Sequence, residues 1–303
     1  MKALVIHGYG GPEVLNYEDC PDPVAGPEEV LVRTAATSVN PFDFKVRSGA
    51  FKDFVPLTFP AVLGLDISGT VEAVGPGVTN FRPGDKVFAH KFFGMYAELC
   101  VVKATDLAKI PEGADVANLA ALPTVTTTGA QLASLALGGK SGVTILVSGA
   151  VGNVGRSAVY WAKSHGAKVI AGVLRRQFAK AEAVGADKVI ALDDALGLKG
   201  LEPVDAVADT VGGATADEII EKVRPGGILA SVLGPPSKAG NYPRVQVKTM
   251  QVTPDATLLR AMADAVHKGA LTIPLGERFP LKDGGKAHAA AEQGGAGKIL
   301  LLM

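Results

Sequence analysis

The middle of the chain carries short, unbroken apolar runs with helical patterns between them, which is how buried parallel strands joined by crossover helices read in sequence. The runs are residues 143–147 (Val-Thr-Ile-Leu-Val), 167–173, 186–192, 204–208 and 227–233, with a sixth at 245–252. Between them, Ala158, Val159, Trp161 and Ala162 mark a first helix closed by His165-Gly166; Val184-Gly185 closes a second, and residues 216–223 make a third. Residues 1–115 have another texture. There, β-like runs at 2–6, 29–35, 69–74, 85–89 and 96–102 are separated by turns such as Pro76-Gly77 and Pro83-Gly84-Asp85, which predicts a compact, mostly β domain. The pattern turns helical over 115–137, first up to Pro123 and then from Ala130 to Leu137. After an amphipathic helix at 257–267, short strands return at 273–279 and 298–302, with one helix at 285–293. Both ends therefore share a texture that the middle lacks. The expected architecture is α/β: a mostly β domain of residues 1–115 and 258–303, interrupted by an inserted, doubly wound parallel-sheet domain of residues 116–257.

The junction after the first central strand carries candidate chemistry. The run passes through Ser148 into Gly149, Ala150, Gly152, Asn153, Val154 and Gly155, with glycines at three-residue spacing opening the helix. One glycine suits a turn with unusual dihedrals, one lets backbone approach a pyrophosphate, and one lets helix pack on strand. The helix N-terminus adds unpaired N–H groups and a positive dipole end. A glycine triplet alone is weak evidence, but here a strand precedes it and a βα rhythm follows, so residues 148–150 and 152–155 are expected to hold a dinucleotide.

Folds that prefer NAD place an acid about twenty positions after the glycines, at the end of the second strand. Here that place reads Gly172-Val173-Leu174-Arg175-Arg176. An acid would repel a 2′-phosphate and guanidinium groups would grip it, so the expected cofactor is NADPH, with Lys180 a turn or two further on as an added cation. The alternative is that these basic side chains are simply solvated at the start of a surface helix. The carboxyl ends of the later strands, at Asp209-Thr210 and Leu233-Gly234, are further expected contacts, since such ligands sit where parallel strands end.

Composition narrows the partners. Thirty basic residues balance thirty acidic ones in 303, which leaves no electrostatic footprint for nucleic acid or an anionic membrane. No apolar run reaches the length of a membrane span, and the opening Met-Lys-Ala-Leu-Val-Ile is broken by His7 and a glycine-rich turn, so a soluble, cytoplasmic protein is expected. Cys20 and Cys100 cannot make a disulfide framework or a four-thiolate zinc site, and are expected as small residues in packing or on a surface.

Several stretches together resemble the medium-chain dehydrogenase/reductase superfamily, within it the zinc-independent quinone oxidoreductase (zeta-crystallin-like) branch. They are Ser38-Val39-Asn40-Pro41-Phe42-Asp43, residues 60–69 and 71–87, Leu122-Pro123, residues 149–155 and 204–213, and Gly297-Lys298-Ile299. They run through almost the whole chain in the family's order. The resemblance implies a GroES-like catalytic domain carrying an inserted Rossmann domain, and a homodimer joined through the edge of the nucleotide-binding sheet. Zinc members have a ligand cysteine where this chain has Asn40 and a Gly-His-Glu where it has Gly64-Leu65-Asp66; leucine cannot ligate, so no metal is expected. Relatives often carry a tyrosine shortly after the Asn-Pro motif, where this chain has Phe44 and Phe51.

The resemblance further implies hydride transfer from NADPH to a small molecule, a quinone or an α,β-unsaturated carbonyl, with charge on the carbonyl oxygen met by hydrogen-bond donors instead of a metal. Asn40 is then either such a donor or a turn-former before Pro41; Asp43 either orients Asn40 or caps a helix; Tyr96 either reaches the cleft or is structural. Thr124 and Thr128 resemble the segment behind the nicotinamide and either bond its carboxamide or cap the following helix. Leu233-Gly234 resembles the loop under the nicotinamide, and Lys298 is expected to reach back to the cofactor. Other readings are an alkenal or alkenone reductase with little quinone activity and a non-catalytic nucleotide-binding protein.

Overall fold

The computed structural model describes residues 1–295 and 297–303, with backbone alone at 195 and 196. In chain order the strands are β1 (Lys2–Ile6), β2 (Asn16–Asp19), β3 (Glu29–Ser38), β4 (Ala61–Val62), β5 (Asp66–Val74), β6 (Lys86–His90), β7 (Leu99–Lys103), β8 (Leu107–Lys109), β9 (Thr144–Ser148), β10 (Lys168–Val173), β11 (Lys188–Ala191), β12 (Val204–Asp209), β13 (Val223–Ser231), β14 (Gln246–Thr249), β15 (Leu275–Pro280) and β16 (Lys298–Leu302). The helices are α1 (Pro41–Arg47), α2 (Pro123–Leu137), α3 (Asn153–Ser164), α4 (Phe178–Ala181), α5 (Ala195–Lys199), α6 (Gly213–Ile219), α7 (Ala256–His267) and α8 (Gly284–Gln293). They form two compact units, Met1–Thr124 with Pro254–Gly269 and Ile273–Met303, and Val125–Thr253 with Ala270–Thr272.

In the first unit, among the described residues, one sheet runs β15-β16-β3-β5-β6-β8 with β7 also paired to β3, and a smaller one runs β2-β1-β4. β3 alternates buried and more open positions over its first half, then buries Ala36, Thr37 and Ser38 together. Alternation is what a sheet with one open face asks for, and its loss marks where β3 goes under cover on both sides. Val30, Val32, Ile67, Val71, Val87 and Val102 fill one core. The segment Ala117–Ala121, expected as helix, is a 3-10 turn packed on β3 and β5. A helix cannot run through Pro123, whose ring instead starts α2.

The second unit is a parallel sheet ordered β11-β10-β9-β12-β13-β14, the doubly wound order in which the chain reverses direction at β9. β9 is buried from Ile145 to Ser148, as a central strand covered on both faces must be, and its branched side chains suit that place. Ile145, Val147, Ala158, Val159 and Ala162 pack α3 onto one face, while Leu146, Ile170, Val207 and Leu229 fill the other. Among the described residues no helix is long and apolar enough to cross a membrane.

Candidate active site

β9 ends at Ser148, and α3 begins only five residues later. Gly149 holds a left-handed φ of 64°, and a Cβ there would lie 2.5 Å from Thr210 Oγ1. A Cβ on Gly155 would lie 2.2 Å from the Gly149 carbonyl oxygen. Only glycine lets α3 come down this closely on the loop. The N-cap of α3 is Gly152, which offers the helix no side-chain cap. The first-turn N–H groups of this twelve-residue helix are thus left to a ligand or solvent, at the positive end of its dipole. At the carboxyl ends of β12 and β13, Val211 and Leu233 are 43% and 49% exposed, an apolar ledge of the kind a nicotinamide ring can cover. The residues fit a dinucleotide, with backbone for the pyrophosphate and apolar surface for a ring.

Ser148 and Asp209, expected as cofactor contacts, are fully buried and bonded within the protein. Ser148 Oγ donates to Asp209 Oδ1 at 2.7 Å, Ser231 Oγ donates to Oδ2 at 2.8 Å, and the Val211 and Gly212 N–H groups reach Oδ1 at 3.1 Å. Thr210 returns to Ser148 through its N–H (2.9 Å) and its hydroxyl (2.7 Å). These groups tie the ends of β9, β12 and β13 together and so hold the loop in shape. Beyond β10, Arg175, Arg176 and Lys180 are exposed. The Arg175 guanidinium pairs with Asp194 and lies 5.2 Å from the Phe178 ring centre, and its N–H donates to Asp193 at 2.8 Å.

The polar centre of the first unit is Asp66, fully buried at the start of β5. Its Oδ1 accepts from the Thr124 N–H (2.7 Å) and hydroxyl (2.6 Å), so it caps α2 where the helix dipole favours an anion. Its Oδ2 accepts from Ser38 Oγ at 2.6 Å and Asn40 Nδ2 at 2.8 Å. Lys298, the first residue of β16, places its ammonium 3.6 Å from that oxygen and donates to Asn40 Oδ1. Burial pulls the Lys298 amine down and the neighbouring carboxylates pull it up, with burial the larger. His90 Nδ1 bonds Thr124 Oγ1 at 2.9 Å. That hydroxyl gives its own proton to Asp66, so Nδ1 carries the ring proton and the buried Nε2, unpartnered among the described residues, is a bare acceptor. Burial holds His90 below its usual range, in the neutral form.

Asp43 lies in the first turn of α1. Its Oδ2 accepts from the Asn40 N–H at 2.7 Å and the Tyr96 hydroxyl at 2.9 Å, while Oδ1 is buried without a partner among the described residues. Burial pushes its carboxyl up to about 7, against the pull of the Asn40 N–H. Tyr96 is itself fully buried, and burial raises its hydroxyl well above the usual value. It packs where Gly64 leaves room, since a Cβ on Gly64 would come within 2.4 Å of the ring. Nearby on the same unit, the Phe42 ring lies 5.7 Å from Phe51, 5.9 Å from Phe92 and 6.1 Å from Phe93, and His90 meets the Phe92 ring at 5.3 Å.

Of the residues singled out from sequence, Asn40, Asp43, Tyr96, Thr124 and Lys298 come together in the first unit, and Ser148 to Gly155, Asp209, Thr210, Leu233 and Gly234 in the second. Thr128 is buried within α2. Asp66 and His90 were not expected to organise the first cluster, although a lone buried acid opening a strand is a usable signal. Among the described residues no group of three or more His, Cys, Asp or Glu is arranged to hold a metal ion. Leu65 offers no donor, the Asn40 oxygen accepts from Lys298, and the Asp66 oxygens accept from Ser38, Thr124 and the Asn40 amide nitrogen. That donor set does not fit tetrahedral zinc.

A mostly β unit carrying an inserted dinucleotide-binding unit defines a class of two-unit oxidoreductases, and comparison with known proteins narrows it. Residues 26–112 match the alcohol dehydrogenase GroES-like domain and residues 184–301 the zinc-binding dehydrogenase domain. A quinone oxidoreductase of Pseudomonas aeruginosa is 33% identical over 95% of this chain and 94% of its own. An acryloyl-coenzyme A reductase of Metallosphaera sedula is 31% identical, covering 89% of this chain and 85% of its own. A mycobacterial protein solved as its complex with NADPH superposes with a TM-score of 0.83 at 30% identity, covering all of both chains. The chain belongs to the medium-chain dehydrogenase/reductase superfamily, in its quinone oxidoreductase branch, and is an oxidoreductase using a nicotinamide cofactor on a small-molecule substrate.

Proposed function

We propose that the protein is an NADPH-dependent, zinc-independent reductase of quinones or α,β-unsaturated carbonyl compounds. The observation that carries this reading is the buried Lys298 ammonium held between Asn40 and Asp66, where zinc members of the superfamily put a metal ligand. The bound cofactor supplies the hydride. As hydride adds to the acceptor, negative charge collects on a carbonyl oxygen, and a fixed cation in a water-poor site stabilises that charge without reorganising. Asp66 keeps Lys298 and the Asn40 amide in place, and one Asn40 N–H remains beyond the bond to Asp66. The rings of Phe42, Phe51, Phe92 and Phe93 suit a flat, electron-poor acceptor.

The choice of NADPH rests on Arg175, an exposed side chain whose present anionic partner, the half-buried Asp194, a 2′-phosphate would replace. The NADPH complex of the mycobacterial relative supports the same choice, and the name of the Pseudomonas relative supports a quinone. The acryloyl-coenzyme A reductase favours a second reading, in which the acceptor is an activated alkene. The open edge of the second unit's sheet at β14 suits pairing of two copies into a homodimer.

Purified protein given NADPH or NADH with benzoquinones, naphthoquinones, enones and enals is followed by nicotinamide absorbance. NADPH oxidation with at least one of these acceptors is expected. Tight NADPH binding with no oxidation by any of them would overturn the enzyme reading in favour of a non-catalytic nucleotide-binding protein. Arg175→Ala is expected to lower kcat/KM for NADPH about tenfold, one lost charge-assisted contact, and to leave NADH unchanged.

A further inference from the structure

A second chain of buried hydrogen bonds runs away from the proposed site. Arg47, at the last turn of α1, is only 2% exposed. Its Nη2 pairs with Glu292 at 2.5 Å, its Nε donates to the Gly10 carbonyl at 3.2 Å, and its Nη1 meets His288 Nδ1 at 3.1 Å. His288 Nε2 meets the Tyr96 hydroxyl at 3.0 Å, and that hydroxyl meets Asp43 at 2.9 Å. Asp43 and Arg47 are four residues apart on one helix, so the bonds leave α1 at one end, cross α8, and return to it.

The direction of each bond is forced. A guanidinium has donors only, so His288 Nδ1 accepts. Nε2 then carries the ring proton and donates to Tyr96, whose own proton has nowhere to go but Asp43. Burial and the Arg47 charge push His288 down to about 3, which keeps it neutral in this arrangement. Every dipole in the chain thus points its positive end at the Asp43 carboxylate, starting from a fixed cation. Asp43 in turn holds the backbone N–H of Asn40.

We propose that Arg47, His288 and Tyr96 are positioning residues that hold Asp43 as an anion and, through it, fix the Asn40–Lys298 cluster for reduction. The proposal rests on the function proposed above. Packing alone does not account for the chain. A carboxyl group buried with one oxygen unpartnered is costly, and an apolar residue would fill the space at less expense. The groups facing Asp43 oppose one another: Asp66 favours the neutral acid, while Lys298, the Asn40 N–H and the Tyr96 hydroxyl favour the anion. The anion is the form that best accepts both donors at Oδ2.

The test uses Tyr96→Phe, His288→Leu and His288→Gln, the last because its amide can accept from Arg47 and donate to Tyr96. Quinone reduction is measured from about pH 5.5 to 9, and the Asp43 carboxylic acid band is titrated by infrared spectroscopy in the cofactor-free protein, assigned with Asp43→Asn. In the wild type, kcat/KM is expected to rise through pH about 7 as Asp43 ionises. In Tyr96→Phe and His288→Leu both that limb and the infrared midpoint move up by about one unit, the loss of one bond to the charged form, and activity recovers at high pH. His288→Gln restores the wild-type midpoint. Unchanged midpoints in Tyr96→Phe and His288→Leu, or activity lost equally at every pH, would overturn the proposal. So would a wild type with no carboxylic acid titrating in this range, a readout that needs no variant to fold. A wild type that reduces no acceptor would overturn the proposed function, and the infrared midpoints would still read the chain by themselves.

Discussion

In the second unit the groups offered to a ligand are backbone N–H donors at the start of α3, left uncapped by Gly152. In the first unit the polar atoms are side chains, and most are already bonded to one another around Asp66. The first arrangement costs little, because uncapped N–H groups at a helix end are solvated until a phosphate takes them. The second gathers charge out of water and is tolerable only while every partner is present. The difference teaches where each unit is fragile: one at the glycines that let two backbone segments touch, the other at any charge in the cluster.

Asp66→Ala probes the second fragility and is the largest effect expected. It leaves the Lys298 ammonium buried without its carboxylate and α2 without its cap, and urea denaturation should report a loss of about 3–5 kcal/mol. A loss below about 1 kcal/mol would show a loosely coupled cluster and break the contrast. Gly155→Ala probes the first. Its Cβ would sit 2.2 Å from the Gly149 oxygen, and NADPH titrated by fluorescence should bind on the order of 100-fold more weakly, close to 3 kcal/mol. Near-normal affinity would mean that the close approach of loop and helix does not shape the phosphate site. The smallest effect sharpens the comparison at the open end of the second unit. Asp194→Asn frees Arg175 from an exposed ion pair, and KM for NADPH should fall roughly threefold with NADH unaffected, since such pairs are worth under about 1 kcal/mol.

The same contrast explains what was legible in the sequence. The β9–loop–α3 junction can be read from thirteen consecutive residues because the glycines and branched side chains encode local backbone conformation. The paired arginines after β10 are equally plain. Arg175's partner Asp194 is not, because it arrives from beyond the end of the neighbouring strand. The cluster at Asp66 draws Ser38 from β3, Asn40 from the cap of α1, His90 from β6, Thr124 from α2 and Lys298 from β16, and no spacing rule links them. Lys298, read as a residue reaching for the cofactor, donates one of its three N–H bonds to Asn40, 258 positions away along the chain. The resemblance drew attention to Asn40 and Asp43, but the bonds that make them a unit depend on tertiary packing.

β16 sits between β15 and β3, parallel to one and antiparallel to the other, and Lys298 is its first residue. During synthesis on the ribosome, all six strands of the second unit emerge before β16 does. The nucleotide-binding sheet can therefore close while the larger sheet of the first unit still lacks an interior strand. Until β16 inserts, Asp66 has no ammonium beside it and the end of β3 has an unpaired edge. The insertion of one late strand completes the sheet and neutralises its buried charge in the same event.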